Sequence, residues 1–177
     1  MLAAVLGLPL ALAVGAAAMA LTIDDRGADG VPPAPTASTP LTLAAVPAPA
    51  AGSPDCAELV AALPDRLPSG ATQLDRRPLA DPAPPGAAAW GVDEPVVLRC
   101  GLDRPTELTR TAELLEVNGV RWLRLADPVT ARSTWVAADR PVYIALTLPD
   151  RSGTGPLQDV STAIAGSLPA QLVRPAG

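Results

Sequence analysis

The chain has 177 residues, enough for one domain with extensions, and carries a net charge of −5 with no histidine. Without histidine there is no Ser-His-Asp or Cys-His pair and no histidine-containing zinc or haem site. The acidic balance argues against a nucleic-acid partner, which would want a basic face.

Residues 1–23 are apolar, and the first charged side chain is Asp24. About 20 such residues cross a bilayer core as a helix, so the length favours a retained membrane anchor. Ala18-Met19-Ala20 offers a small-x-small cleavage site, so a removable signal segment is the alternative. Either way the rest of the chain is expected outside the cytoplasm, on the cell membrane or secreted. Anchors of this kind usually follow a basic region, and none precedes this span. We therefore expect the natural start to lie upstream, with arginines ahead of Met1.

From residue 24 to 54 the sequence is rich in Pro, Ala, Thr, Ser and Gly, as in V-P-P-A-P-T-A-S-T-P. Such a stretch buries too little apolar surface to offset its ordering entropy. It reads as a partly polyproline linker.

Residues 55–170 read as an extracytoplasmic α+β domain, followed by a flexible tail at 171–177. Ser53 suits a helix N-cap, Pro54 the first helical position and Asp55 the first turn. Leu59, Val60 and Leu63 share a face, and Leu63-Pro64 ends that helix. A second helix is predicted over Pro156–Ser167, with Leu157, Val160, Ile164 and Leu168 on one side. Gly153-Thr154-Gly155 ahead of it reads as a capping loop rather than an anion site.

Between the helices about five antiparallel strands are predicted. They are 96–100, 113–117, 120–125, 133–137 and 142–148. Asn118-Gly119 joins the second and third of these as a type I′ hairpin turn. The order helix, strands, helix gives the α+β class.

An oxidising compartment pairs the two cysteines, so a disulfide between Cys56 and Cys100 is expected. Asp93-Glu94 is an adjacent carboxylate pair in a loop, a candidate for metal binding or acid–base work, although such pairs are usually just solvated. Trp90, Trp122, Trp135 and Tyr143 are the whole aromatic complement, and core packing outweighs binding for most of them. Trp90 sits among alanines beside a turn, and with Asp93, Glu94 and Arg99 it makes the candidate binding surface, Trp90 and Arg99 suiting peptide or glycan. Arg76-Arg77, Arg121 and Arg124 read as ordinary surface charge. No cofactor motif is present, and neither a cofactor nor a metal is expected.

The run Ala88-Ala89-Trp90-Gly91, followed by Pro95-Val96-Val97-Leu98-Arg99-Cys100-Gly101, carries a resemblance. Arg76-Arg77, Val117-Asn118-Gly119-Val120-Arg121-Trp122 and Arg140-Pro141-Val142-Tyr143 carry it too. The chain resembles a family of actinobacterial envelope proteins of unknown function, the domain of unknown function 3515. That resemblance implies an N-terminal membrane segment and an extracytoplasmic domain, and no activity. The expected function is a non-catalytic binding or structural module of the cell envelope, its partner a wall component or an envelope protein. A carboxylate-dependent envelope hydrolase is the alternative.

Overall fold

A computed structural model describes residue 36, residues 38–127 and residues 129–175. The apolar run at 1–23 lies outside these; among the described residues no helix is long and apolar enough to cross a membrane. Helix α1 (Pro54–Ala62) starts as its sequence predicts: the Ser53 hydroxyl accepts a hydrogen bond from the Cys56 N–H at 3.3 Å. It ends at Leu63, whose backbone is extended, because the residue before a proline is forced out of the helical region. Helix α2 (Gly155–Ser167) turns Leu157, Val160 and Ile164 into the core.

Among the described residues the sheet has eight antiparallel strands rather than about five. In chain order they are β1 (Arg66–Ser69), β2 (Thr72–Arg77), β3 (Ala87–Trp90), β4 (Val96–Leu102), β5 (Leu114–Val117), β6 (Val120–Asp127), β7 (Arg132–Ala137) and β8 (Tyr143–Pro149). The spatial order is β1-β2-β3-β4-β8-β7-β6-β5. Two four-stranded meanders therefore meet where β4 pairs with β8. The first three strands escape sequence patterning for physical reasons. β1 contains Pro68, which only an edge strand tolerates; β2 is mostly polar and charged; β3 is three alanines and a tryptophan, with little strand propensity.

The Asn118-Gly119 turn forms as predicted, both residues with positive φ. Asn118 also donates to Gln158 O and Thr162 Oγ1 of α2, at 3.0 Å each, tying the hairpin to the helix.

Both helices pack on one face of the sheet, and α2 reaches β1 at one edge and β5 at the other. The sheet curls around α2 to bring its two edges to one helix. Trp90, Leu98, Trp122, Ile144 and Leu146 fill the space between, with Leu59, Val160 and Ile164 from the helices. Trp122 Nε1 donates to Ser161 Oγ at 2.9 Å, and that hydroxyl donates to Leu157 O, so the buried indole N–H is satisfied. The opposite face of β6–β8 carries a second cluster: Leu108, Leu123, Val136 and Ala145. Cys56 and Cys100 are joined, their Cα atoms 5.6 Å apart, and the bond staples α1 to β4.

Asp139 and Arg140, in the β7–β8 connection, form a buried ion pair at 2.9 Å. Arg140 also donates to Gly119 O at 2.9 Å, and an Asp139 oxygen accepts the Arg121 N–H at 3.1 Å. The pair fixes that connection to the β5–β6 hairpin.

The segment read as a linker is in part a piece of the fold. From Thr39 onward it runs across the outer face of the sheet as a strap. Leu41 bridges Leu79, Ala50 N–H donates to Gly101 O at 3.0 Å, and Ala51 is buried. Its carbonyls find partners in the domain, which composition alone does not reveal. The C-terminal residues also dock: Gln171 N–H donates to Asp139 O, and Val173 packs on the second cluster.

Gly101 makes the strap's close approach feasible. Its φ is +83°, and a Cβ there would lie 2.2 Å from Ala51 N. Gly101→Ala is expected to push residues 48–52 off the sheet. Faster amide hydrogen exchange across the strap, with α2 unchanged, is the result that checks it.

Candidate functional site

β4 alternates. Leu98 and Cys100 point into the core, and Arg99 points to the outer face. Its paired neighbours there are Ala87 on β3 and Ala145 on β8, which leave room around the guanidinium. The strap passes over it, and Arg99 Nη2 donates to Ala44 O at 3.0 Å. Its Nε–H is buried without a hydrogen-bond partner. No carboxylate of the described residues forms an ion pair with it. Burial holds its pKa below the ordinary arginine value, although a guanidinium remains charged at neutral pH.

Beside Arg99 lies a groove of about 420 Å³ between the strap and the proline-rich loop at 80–85. Leu43, Val46, Ala48, Ala83 and Pro85 make its walls apolar. Val46 is 44% exposed, an apolar side chain left on the rim. Asp81 is an exposed acidic group on the rim and forms no ion pair with Arg99.

A second opening, of about 360 Å³, is polar. Ser69, Gln73, Asp75, Asp93, Glu94 and Arg151 line it. Glu94 is paired with Arg151, and Asp75 with Arg66 at 3.2 Å. The two openings share no residue, so the predicted site residues are divided between them: Asp93 and Glu94 in the polar cleft, Arg99 in the apolar groove.

Trp90 belongs to neither. It is fully buried, its Nε1 donating to Pro64 O at 2.9 Å, so it offers no surface to a ligand. The reason is the strand that patterning missed. As the last residue of β3, opposite Val96, Trp90 faces the core.

Arg76 and Arg77 are structural clamps, not loose surface charge. Arg76 lies 5.6 Å over the Trp90 ring and donates to Val60 O and Leu63 O at the end of α1, where a cation suits the helix dipole. Burial lowers its pKa, while the nearby Asp65 charge works the other way. Arg77 is buried and donates to Thr39 O at 2.7 Å and Val92 O at 2.9 Å, pinning the start of the strap. Arg121 pairs with Glu116, and Arg124 lies 5.7 Å over the Trp135 ring. Among the described residues, no group of three His, Cys, Asp or Glu side chains converges to hold a metal ion.

The strap walls of the groove escaped sequence reasoning. Leu41, Leu43 and Val46 were the available signal: larger apolar side chains inside a Pro/Ala tract.

A family model described as a protein of unknown function (DUF3515) matches residues 6–173, a span that takes in the strap and both openings. No curated protein and no solved structure matches the chain.

Proposed function

The chain belongs to the DUF3515 family of proteins of unknown function, and for this member we propose a non-catalytic binding module, tethered at the outer face of a membrane by residues 1–23. The observation that supports binding is the groove under the strap. It is concave, mostly apolar, and holds one cationic group, which is the usual character of a small-ligand site. The export side is supported by the Cys56–Cys100 bond, since disulfides persist in oxidising compartments.

A photo-crosslinking residue placed at Thr42, on the groove, tests this in intact cells carrying the full chain. Reproducible labelling of one envelope component, lost in the groove-filling variant Ala83→Trp, is the expected result. Labelling no different from that of a probe at Thr72, in the polar cleft, would sink the reading.

The polar cleft supports the second reading, a carboxylate-dependent hydrolase, because it gathers Asp75, Asp93 and Glu94. Against it, Glu94 and Asp75 are engaged by arginines. The double variant Asp93→Asn, Glu94→Gln is expected to retain labelling from Thr42 and release no fewer wall fragments than the parent chain. A fall in fragment release of tenfold or more, the scale of a lost acid–base group, would favour the hydrolase (~10²–10⁴ is typical).

A further inference from the structure

We infer that the groove beside Arg99 takes a single-chain anionic amphiphile, a fatty-acid carboxylate whose head meets the guanidinium and whose chain lies between the strap and the 80–85 loop. The inference rests on the binding reading above and names the ligand's chemistry.

Three observations carry it. First, among the described residues the Arg99 side chain makes one hydrogen bond, to Ala44 O, and its Nε–H is buried without a partner. An arginine has five donors, and a carboxylate matches two of them side by side. Arg99 lines the groove with no carboxylate of the described residues paired to it, and that uncompensated charge calls for an anion. Asp81, at the exposed rim, leaves that call in place and disfavours a second negative charge further out.

Second, the walls are apolar and partly open to solvent at Val46, so the remainder of the ligand is hydrocarbon rather than sugar. At ~30 Å³ for each water-sized group, the volume of about 420 Å³ accommodates about fourteen, a carboxylate head and a chain of about ten carbons among them. That is one medium chain, not the pair of chains of a membrane lipid.

Third, the groove lies close along the chain to the proposed tether. Residues 24–38 separate the apolar run from the strap, and at ~3.3–3.6 Å per residue fifteen residues reach at most about 54 Å. A chain-bearing acid at a membrane surface is within reach of such a domain.

The test uses the full chain in phosphatidylcholine nanodiscs, with empty nanodiscs as the blank. It is titrated with carboxyl-labelled decanoate and with decanol, the same chain without the charge. Calorimetry reads affinity, and the labelled carboxyl resonance reads contact with the guanidinium. Decanoate is expected to bind about tenfold or more tighter than decanol, the scale of a charged hydrogen bond. Arg99→Gln is expected to bring decanoate down to the affinity that decanol shows in the same variant. Because Arg99 also holds the strap, Arg99→Lys is the second variant; it keeps the charge, loses the fork and is expected to fall between. Ala83→Trp is expected to abolish both ligands. Equal affinity for decanoate and decanol, or decanoate binding indifferent to Arg99→Gln, would overturn the anionic head and leave an apolar site standing. Failure of both ligands to bind would overturn the groove as a binding site altogether.

Discussion

Arg140→Ala is expected to lower the unfolding free energy by about 3–5 kcal/mol, among the largest losses from a charged residue of the described chain. The substitution leaves Asp139 buried and unpaired, and it strips Gly119 O of its donor. A buried carboxylate stripped of its cation carries a desolvation penalty that a surface group never meets. Asp139→Ala is expected to be comparably severe, since it orphans the Arg140 guanidinium and removes the acceptor for the Arg121 N–H. Urea unfolding of the full chain with its disulfide intact is the measurement. Arg66→Ala, which breaks the exposed pair with Asp75, serves as the contrast and is expected to change stability by less than about 1 kcal/mol. A similar small effect for Arg140→Ala would mean that the pair is reached by water.

The double variant Cys56→Ala, Cys100→Ala is expected to lose about 4 kcal/mol, because the bond closes a loop of 44 residues' separation and removes that freedom from the unfolded chain. Both sulfurs lie in the main core, so a small packing loss adds to it. The consequence reaches beyond stability. Cys100 is followed directly by Gly101, against which Ala50 and Ala51 of the strap are seated. Once β4 is no longer stapled to α1, the strap is expected to exchange amide protons faster than β6 and β7 do. The midpoint of denaturant unfolding, compared with and without reductant in the parent chain and in the variant, is the check. A reductant effect on the parent that is absent from the variant assigns the change to this bond. No difference between parent and variant would place the fold's stability entirely in its packed core.

Taken together these two sites show how a chain with one tyrosine, three tryptophans and no phenylalanine holds a large curled sheet. The core relies on Leu, Ile, Val and the two fully buried tryptophans. Arginine supplies the fastening elsewhere: Arg76, Arg77, Arg99, Arg132 and Arg140 each donate to backbone carbonyls of distant segments. Its rigid fork of donors suits that task.

Local signals determined a definite part of this protein. Ser53-Pro54-Asp55 sets the start of α1, Asn118-Gly119 sets a hairpin turn, and the alternation over Val142–Leu148 sets a strand, because each depends on a few neighbouring residues; that strand was expected half-buried, and its central place between β4 and β7 buries both of its faces. The α+β class and the Cys56–Cys100 pairing followed from element order and from the count of two cysteines. Tertiary structure decided the rest. β1, β2 and β3 exist because β4 offers an edge to pair with, although Pro68, the polar run at Thr72–Arg77 and three alanines favour no strand alone. Pairing across the sheet turns Trp90 inward and Arg99 outward, an assignment of faces that depends on register rather than composition. The strap is the clearest case. Its Pro/Ala tract lacks the means to fold itself, and it is ordered because Arg77, Leu79, Arg99 and Gly101 meet its backbone from positions far along the chain. The groove exists between that strap and another loop, so no stretch of sequence contains it.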